Sequence, residues 1–240
     1  MLAVLKSSSS LRNHSFVRSP VLAVIALALG IAVSGMAQEK KTKGYFRFDM
    51  GAAFTEDADI QSFGGDPGDA VAEFDTGFRF DLAGGYRIRP WVSVELEAGF
   101  IYNAFTADSE FLSMDNELFQ GPIIANVVFQ YPSERWIALA GGGVGGSFMT
   151  IYDGTYLYYD PCCGYYYGQA TESDFVFAYQ AFAAVGYKFN ELSNLAVFFR
   201  WSGARDPSWT LDGFSSSSRV DFDLGSIQTW AFTVAYTMGF

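Results

Sequence analysis

The sequence predicts an all-β fold: an eight-stranded antiparallel up-and-down transmembrane β-barrel, preceded by a cleaved signal peptide. Three observations predict it. The first is long period-two alternation, clearest where Trp230, Phe232, Val234, Tyr236, Met238 and Phe240 alternate with Ala231, Thr233, Ala235, Thr237 and Gly239. Residues two apart share one face of a strand, so this strand has one large apolar face and one small face. The second is the rhythm of the connections, which run long, short, long, short. The third is an amino-terminal leader.

The leader occupies residues 1–37. Met1 to Pro20 is polar and basic, with Lys6, Arg12 and Arg18 and no acid. Val21 to Val33 is an apolar run, shorter than the roughly 20 residues a spanning helix needs. It fits the hydrophobic region of a secretory signal, with the small residues Gly35 and Ala37 placed for cleavage before Gln38. The competing reading is an uncleaved inner-membrane anchor. No cysteine closely follows the run, so nothing suggests a lipid anchor. The domains are thus residues 1–37, a signal peptide, and residues 38–240, one barrel domain.

The strands follow in order. Tyr45 to Phe54 sets Phe46, Phe48, Met50, Ala52 and Phe54 against Arg47, Asp49, Gly51 and Ala53. Thr55 to Glu73 reads as a loop from its Asp, Gly and Pro content. Phe74 to Ile88 sets Phe78, Phe80, Leu82 and Tyr86 against Arg79, Asp81, Ala83, Gly85 and Arg87. A turn at Arg89-Pro90 leads to Trp91–Asn103, where Val92, Val94, Leu96, Ala98, Phe100 and Tyr102 oppose Ser93, Glu95, Glu97 and Gly99. Ala104 to Glu117 reads as a polar loop. Leu118 to Tyr131 alternates weakly, and Pro122 predicts an irregularity because it cannot donate to a ladder.

After the turn Pro132–Arg135, Trp136 to Met149 is a glycine-rich strand whose faces the sequence leaves open. Thr150 to Asp174 reads as a long tyrosine-rich loop. Phe175 to Phe189 sets Phe177, Tyr179, Ala181, Ala183, Val185 and Tyr187 against Ala178, Gln180, Phe182, Ala184, Gly186 and Lys188. Asn190 to Ser193 turns into Asn194–Gly203, with Leu195, Val197, Phe199 and Trp201 opposite Ala196, Phe198, Arg200 and Ser202. Ala204 to Leu224 reads as a loop before the closing strand.

These strands run about 10–13 residues, beyond the usual 5–6 of soluble sheets and enough for a tilted membrane strand. Tyr86, Trp91, Tyr131, Trp136, Tyr187 and Phe189 cluster beside the short turns, where an interfacial aromatic girdle lies. The competing reading is a soluble sandwich or lipocalin-like barrel with the aromatic face inside. Glycines and paired charges on the small face fit a narrow lumen better. Past residue 37 the chain carries 12 basic and 26 acidic residues, a formal charge of −14. That excludes nucleic acid as a partner, since phosphate binding needs a basic patch.

The signal peptide, the eight amphipathic strands and the terminal Phe240 resemble the OmpA-type family of small outer-membrane barrels, including OmpX-, Opa- and OmpW-like members. Leu96-Glu-Ala-Gly-Phe-Ile-Tyr102 is a phrase of that kind. The resemblance spans residues 38–240. It implies an outer-membrane location in a Gram-negative type envelope, contact with the lipid bilayer, and a terminal aromatic, Phe240 with Tyr236, recognised by the barrel-assembly machinery. It does not single out one member, and no peptidoglycan-binding domain is expected after the last strand.

The one histidine, His14, lies in the leader. Histidine-dependent hydrolysis and imidazole metal sites are therefore excluded past residue 37, and the chain is expected to be no enzyme and to carry no cofactor or metal. The lumen face offers an ionic network of Arg47, Asp49, Arg79, Asp81, Glu95, Glu97, Lys188 and Arg200, and the phrase Phe-Arg-Phe-Asp occurs at 46–49 and 78–81. An eight-stranded interior is just wide enough for side chains to fill, and buried charges must be paired. The expectation is a salt-bridged plug in a structural or surface-interaction protein whose extracellular loops meet an unspecified ligand. The alternative is a small porin-like channel for ions or small apolar solutes. Cys162 and Cys163 admit a vicinal disulfide or free thiols at a turn.

The leader generates a testable expectation. Fractionated cells should hold the protein in the outer membrane, with Gln38 at its amino-terminus by mass spectrometry; a soluble periplasmic product would overturn the barrel.

Overall fold

The structure, a computed structural model, describes residues 43–63, 66–67, 70–108, 112–160, 164–212 and 219–240. The leader, Ala37 and Cys162–Cys163 lie outside them. Thirteen strands follow in chain order: β1 (Gly44–Thr55), β2 (Ala58–Phe63), β3 (Asp66–Pro67), β4 (Val71–Phe74), β5 (Gly77–Arg89), β6 (Val92–Asp108), β7 (Leu112–Gln130), β8 (Trp136–Asp160), β9 (Gly164–Lys188), β10 (Ser193–Ala204), β11 (Ser208–Asp212), β12 (Arg219–Leu224) and β13 (Ile227–Gly239).

Eight of them, β1, β5, β6, β7, β8, β9, β10 and β13, pair antiparallel in that order. The circle closes where β1 meets β13, from Tyr45 opposite Gly239 to Thr55 opposite Thr229. Closure leaves this wall without an edge, as backbone groups in lipid require. The predicted alternation places the faces. Phe48, Met50, Phe54, Leu96, Val185, Val197 and Phe232 are exposed outside, while Arg47, Asp49, Arg79, Asp81, Glu97 and Arg200 are buried inside.

At one end the connections are short. Asn190 Oδ1 accepts from the Leu192 and Ser193 backbone N–H groups and fixes the β9–β10 turn. The predicted girdle residues, Tyr86, Trp91, Tyr131, Trp136, Tyr187 and Phe189, are all exposed at this end, with Trp136 packed edge-on against Tyr187 at 5.7 Å between centroids. Phe240 stacks on Phe46 at 5.0 Å, and Tyr236 lies 5.8 Å from Phe48.

The far end corrects the sequence reading. The four predicted loops are largely strand. β6 and β7 run on to pair Asp108 with Ser113, and β8 and β9 run on to pair Asp160 with Gly164. The ladders on both sides of β8 shift register at one level, near 115–117 and 151–154. Beyond bends at Glu56–Asp57, Asp75–Thr76, Arg205–Pro207 and Gly225–Ser226, the shorter strands β2, β4, β11 and β12 resume the courses of β1, β5, β10 and β13. Their neighbours repeat the order below: β4 pairs β6 and β2, β2 pairs β12, and β12 pairs β11. The wall thus has an upper storey. Its polar outer face hid the strand signal, because alternation there sets polar against apolar with charged bends between.

The upper interior is apolar. Ile60, Phe105, Leu118, Met149, Ile151, Trp209, Leu211 and Phe222 are all nearly or wholly buried in one cluster, and the Trp209 indole N–H donates to the Met149 carbonyl at 2.9 Å. The irregularity predicted at Pro122 is one-sided. The β6–β7 pairing lapses opposite Gly99 and Phe100 and resumes in the same register, while β8 pairs straight through Pro122.

The faces of β8 left open by the sequence are now assigned. Ile137, Ser147, Met149 and Ile151 are buried within, and Trp136, Val144 and Phe148 face out. Gly141 also faces in, because a Cβ there would come within 2.6 Å of the Phe182 ring.

Val197 sits on the outer face between the girdle at Tyr187 and the tryptophans Trp201 and Trp230. Val197→Arg should lower the unfolding free energy by about 2–4 kcal/mol, the cost of a basic residue near the bilayer midplane, measured by denaturant titration in lipid vesicles. A neutral effect would mean that this face does not meet lipid.

Candidate functional site

The candidate site is the charged layer across the lower lumen. Strand parity alone supplies it. β1 contributes Arg47 and Asp49, β5 Arg79 and Asp81, β6 Glu95 and Glu97, and β10 Arg200, and every one of these side chains is buried.

Glu97 is the hub. It accepts from Arg47 at 2.6 Å, Arg79 at 3.3 Å and Arg200 at 3.0 Å, and from Gln180 Nε2 at 2.8 Å. Arg47 also donates to Glu95 and, through Nε, to Asp49 at 3.1 Å. Arg79 Nε donates to Asp81 at 2.6 Å, and its remaining groups reach Ser202 Oγ at 3.2 Å and Gln180 Oε1 at 3.0 Å. Arg200 donates to Asp49 at 2.8 Å. The forked guanidinium suits this shared service, because its five donors address several carboxylates at once.

The layer rests on aromatics. The Arg47 guanidinium lies 4.7 Å from the Phe198 centroid, and that of Arg200 lies 4.9 Å from Phe198 and 5.2 Å from Phe182. Desolvated cation–π contacts of this kind contribute about 2 kcal/mol. Tyr45 closes the side toward the short turns; its hydroxyl donates to Glu95 at 2.6 Å, with Ser93 Oγ 2.8 Å away. A cavity of about 20 Å³ remains beside Tyr45, Glu95, Gln130 and Thr237, room for roughly one water. Above the layer lies the apolar cluster of the upper storey. Among the described residues, charged side chains thus fill the lower lumen and apolar side chains the upper.

Of the eight residues expected in the network, seven meet here. Lys188 does not: its ammonium, half-buried at the short-turn end, donates to the Ser133 carbonyl. Six residues of β9 separate it from Phe182, which pairs with Arg200, so its strand position lies too low. The neutral partners Gln180, Ser202 and Asn126 and the aromatic lid Tyr45 went unassigned. Parity places Tyr45, Gln180 and Ser202 on the lumen face, and that signal could have found them. Asn126 lies on the weakly alternating strand and had no such signal. Among the described residues no cluster of three or more His, Cys, Asp or Glu has an arrangement that could hold a metal ion.

The two ends differ in charge. Above the membrane-facing belt Glu56, Asp57, Asp59, Glu73, Asp75, Asp108, Asp115, Glu117, Asp206 and Asp221 are exposed. Asp223 there is held below the ordinary carboxylate range by hydrogen bonds from Ser208 and Ser62. At the short-turn end Lys43, Arg89 and Arg135 are exposed alongside only two acids, Glu134 and Glu191.

Residues 23–237 match the family described as outer membrane protein beta-barrel domain. No curated protein matches the sequence. Among solved structures, the outer membrane protein OprG from Pseudomonas aeruginosa has a TM-score of 0.56 at 14% identity, covering 84% of this chain and 99% of its own. That likeness shows the fold. Neisserial surface protein A gives 0.43 at 11% identity, covering 82% of this chain and 97% of its own. Ail, the attachment invasion locus protein of Yersinia pestis, gives 0.39 at 14% identity, covering 82% and 99%.

The network yields a prediction. Arg79→Ala leaves Asp81 buried without its nearest cation and should lower the unfolding free energy by about 3–5 kcal/mol, read from denaturant midpoints of refolded protein. An unchanged midpoint would mean that the layer does not hold the barrel together.

Proposed function

The chain belongs to the outer membrane protein β-barrel domain family, and on that premise we propose a structural or surface-interaction role exercised through the strands it raises above the membrane. One observation carries this reading: three arginines and four carboxylates interlock across the lumen, with aromatic rings beneath and an apolar core above. A filled axis of that kind supports a plug rather than a conduit. The protein lies in the outer membrane, and the short turns face the periplasm.

The raised part offers what a contact surface needs. Among the described residues it is built mainly of paired strand, which presents side chains at fixed spacing. Its outer face is acidic, and β8 and β9 lift it well above the aromatic belt. The absence of histidine past His14 supports a non-enzymatic role. Insertion by the barrel-assembly machinery belongs to the same reading.

Planar bilayers test it. The refolded protein, lacking residues 1–37, should show no large steady conductance at moderate voltage. Sustained openings would favour the channel reading instead. Uptake of small apolar solutes into vesicles would do the same even with no ionic current.

A further inference from the structure

On the outer wall β8 and β9 bring small residues together. Ala140 pairs with Ala183 and Gly142 with Ala181, and the three alanines are exposed. Large residues flank them. At the level of Ala140 five neighbouring strands present Phe129, Ala140, Ala183, Phe199 and Phe232 in a row, two methyl groups between phenyl rings. The result is a trough of about 730 Å³ along the wall, within the range of about 300–1,000 Å³ that small-molecule sites occupy. Its banks are braced. Phe129 stacks on Trp91 at 6.3 Å, and Phe199 packs on Trp230 at 5.2 Å and on Phe232 at 5.0 Å. These rings hold one another, and the floor between them is left to the alanines.

The depth of the trough says which leaflet it meets. It begins beside the girdle, where Trp136 pairs with Tyr187 just below Ala138 and Val185. The floor stays small as far as Gly142 and ends at the exposed Val144. From Ala138 to Val144 β8 advances about 20 Å along the strand, which is about 14 Å of depth at a tilt near 45°. One leaflet is about half of a 30 Å hydrocarbon core. The trough thus lies in the leaflet on the short-turn side. Its floor is two strands about 5 Å apart, wide enough for one extended hydrocarbon chain. A neighbouring wall would bridge the banks and leave the floor empty, whereas a single chain enters it.

The mouth is polar and carries both signs. Gln130, Tyr131 and Pro132 line the low end of the trough. The same turn goes on to Glu134 and Arg135, both exposed, and Arg89 is exposed on the neighbouring turn, just before the Trp91 bank. Guanidiniums suit a phosphate, which they hold through parallel N–H bonds. The carboxylate of Glu134 suits an ammonium and disfavours a head that is anionic overall. Tyr131 and Trp136 add the amphipathic rings that settle at headgroup level.

We propose that this trough is a binding site for one phospholipid of the periplasmic leaflet, an acyl chain lying on Ala138, Ala140 and Ala183 and a zwitterionic phosphoethanolamine head held at the mouth by Arg89, Arg135 and Glu134. Packing selects the chain, because association within a membrane depends on close van der Waals contact and not on escape from water. A concave floor between fixed rings surrounds the chain on three sides, where a convex wall touches it on one. The proposal rests on the outer-membrane location but not on the surface role, and neither conductance nor cell contact reads it out.

The experiment uses the full barrel refolded in detergent and native mass spectrometry. Titrated with palmitoyl-oleoyl-phosphatidylethanolamine, the wild type should retain one lipid, and it should retain dioleoylglycerol, which lacks the head, less well. Ala183→Phe fills the floor and should lose the retained lipid. Leu96→Phe, an equally large change on the outer face away from the trough, should keep it. Replacing Arg89 and Arg135 together by Gln should abolish the preference over dioleoylglycerol. Equal retention by Ala183→Phe and Leu96→Phe would mean an unselective lipid annulus and overturns the site; equal retention of the two lipids by the wild type overturns the headgroup assignment. A wild-type dimer that Ala183→Phe dissolves would make a second copy of the chain the occupant and also overturns the proposal. Should Ala183→Phe fail to refold, Ala140→Leu takes its place with the same expected loss.

Discussion

Three arginines buried in a narrow barrel are the constraint on which the rest of the lower structure depends. Eight strands leave an interior that side chains must fill, and strand parity sends Arg47, Arg79 and Arg200 into it. A guanidinium cannot shed its proton, so each needs carboxylates within reach. The neighbouring features answer that demand. Glu97 receives all three arginines. Phe182 and Phe198 place their ring faces under two of them. Gly99 yields its volume to the Asp81 carboxylate, and Gly141 yields its volume to the Phe182 ring. A larger residue at either glycine would press on the layer itself.

β6 shows how one strand serves two environments. Its inward residues run Ser93, Glu95, Glu97, Gly99, Ile101, Asn103, Phe105 and Ala107, polar at first and mainly apolar later. Its outward residues run Val94, Leu96, Ala98, Phe100, Tyr102, Ala104, Thr106 and Asp108, apolar at first and polar later. The inversion falls where the wall leaves the hydrocarbon. Below it the outer face meets lipid, and polar groups can be satisfied only inside. Above it water solvates the outer face, and the interior becomes an ordinary hydrophobic core. The tryptophans mark the crossover: the Trp230 indole donates to Glu56 and that of Trp201 to Gln228, polar tips on apolar bodies at a boundary.

That inversion also explains what the sequence disclosed and what it hid. Within the membrane belt large apolar residues alternate with small or charged ones, and all eight strands and the inward set Arg47, Asp49, Arg79, Asp81, Glu95, Glu97 and Arg200 were legible. Above the belt the contrast reverses. The tyrosines and acids of 150–174 then read as a loop although the ladder continues through them. Parity says which face a residue takes but not its height along the axis, which is why Lys188 was grouped with charges six residues above it. The β8 glycines carry no hydrophobic contrast, so only the packing of Phe182 against Gly141 settled their faces.

The charged layer contributes more to register than to net stability. A buried ion pair seldom outperforms well-packed apolar side chains of the same volume, so an apolar lumen would hold this barrel about as firmly. It would leave both strand faces apolar, however, and a slip of one residue would then cost little. With arginines and carboxylates on the inner face, the same slip on β1 carries Arg47 and Asp49 into lipid. A basic residue near the midplane costs about 2–4 kcal/mol there, and its abandoned partners stay buried and unpaired inside. Phe-Arg-Phe-Asp on β1 and again on β5 applies that penalty to two neighbouring strands. The register that puts Asp49 opposite Asp81 is therefore held by the same arginines that pair with the two carboxylates.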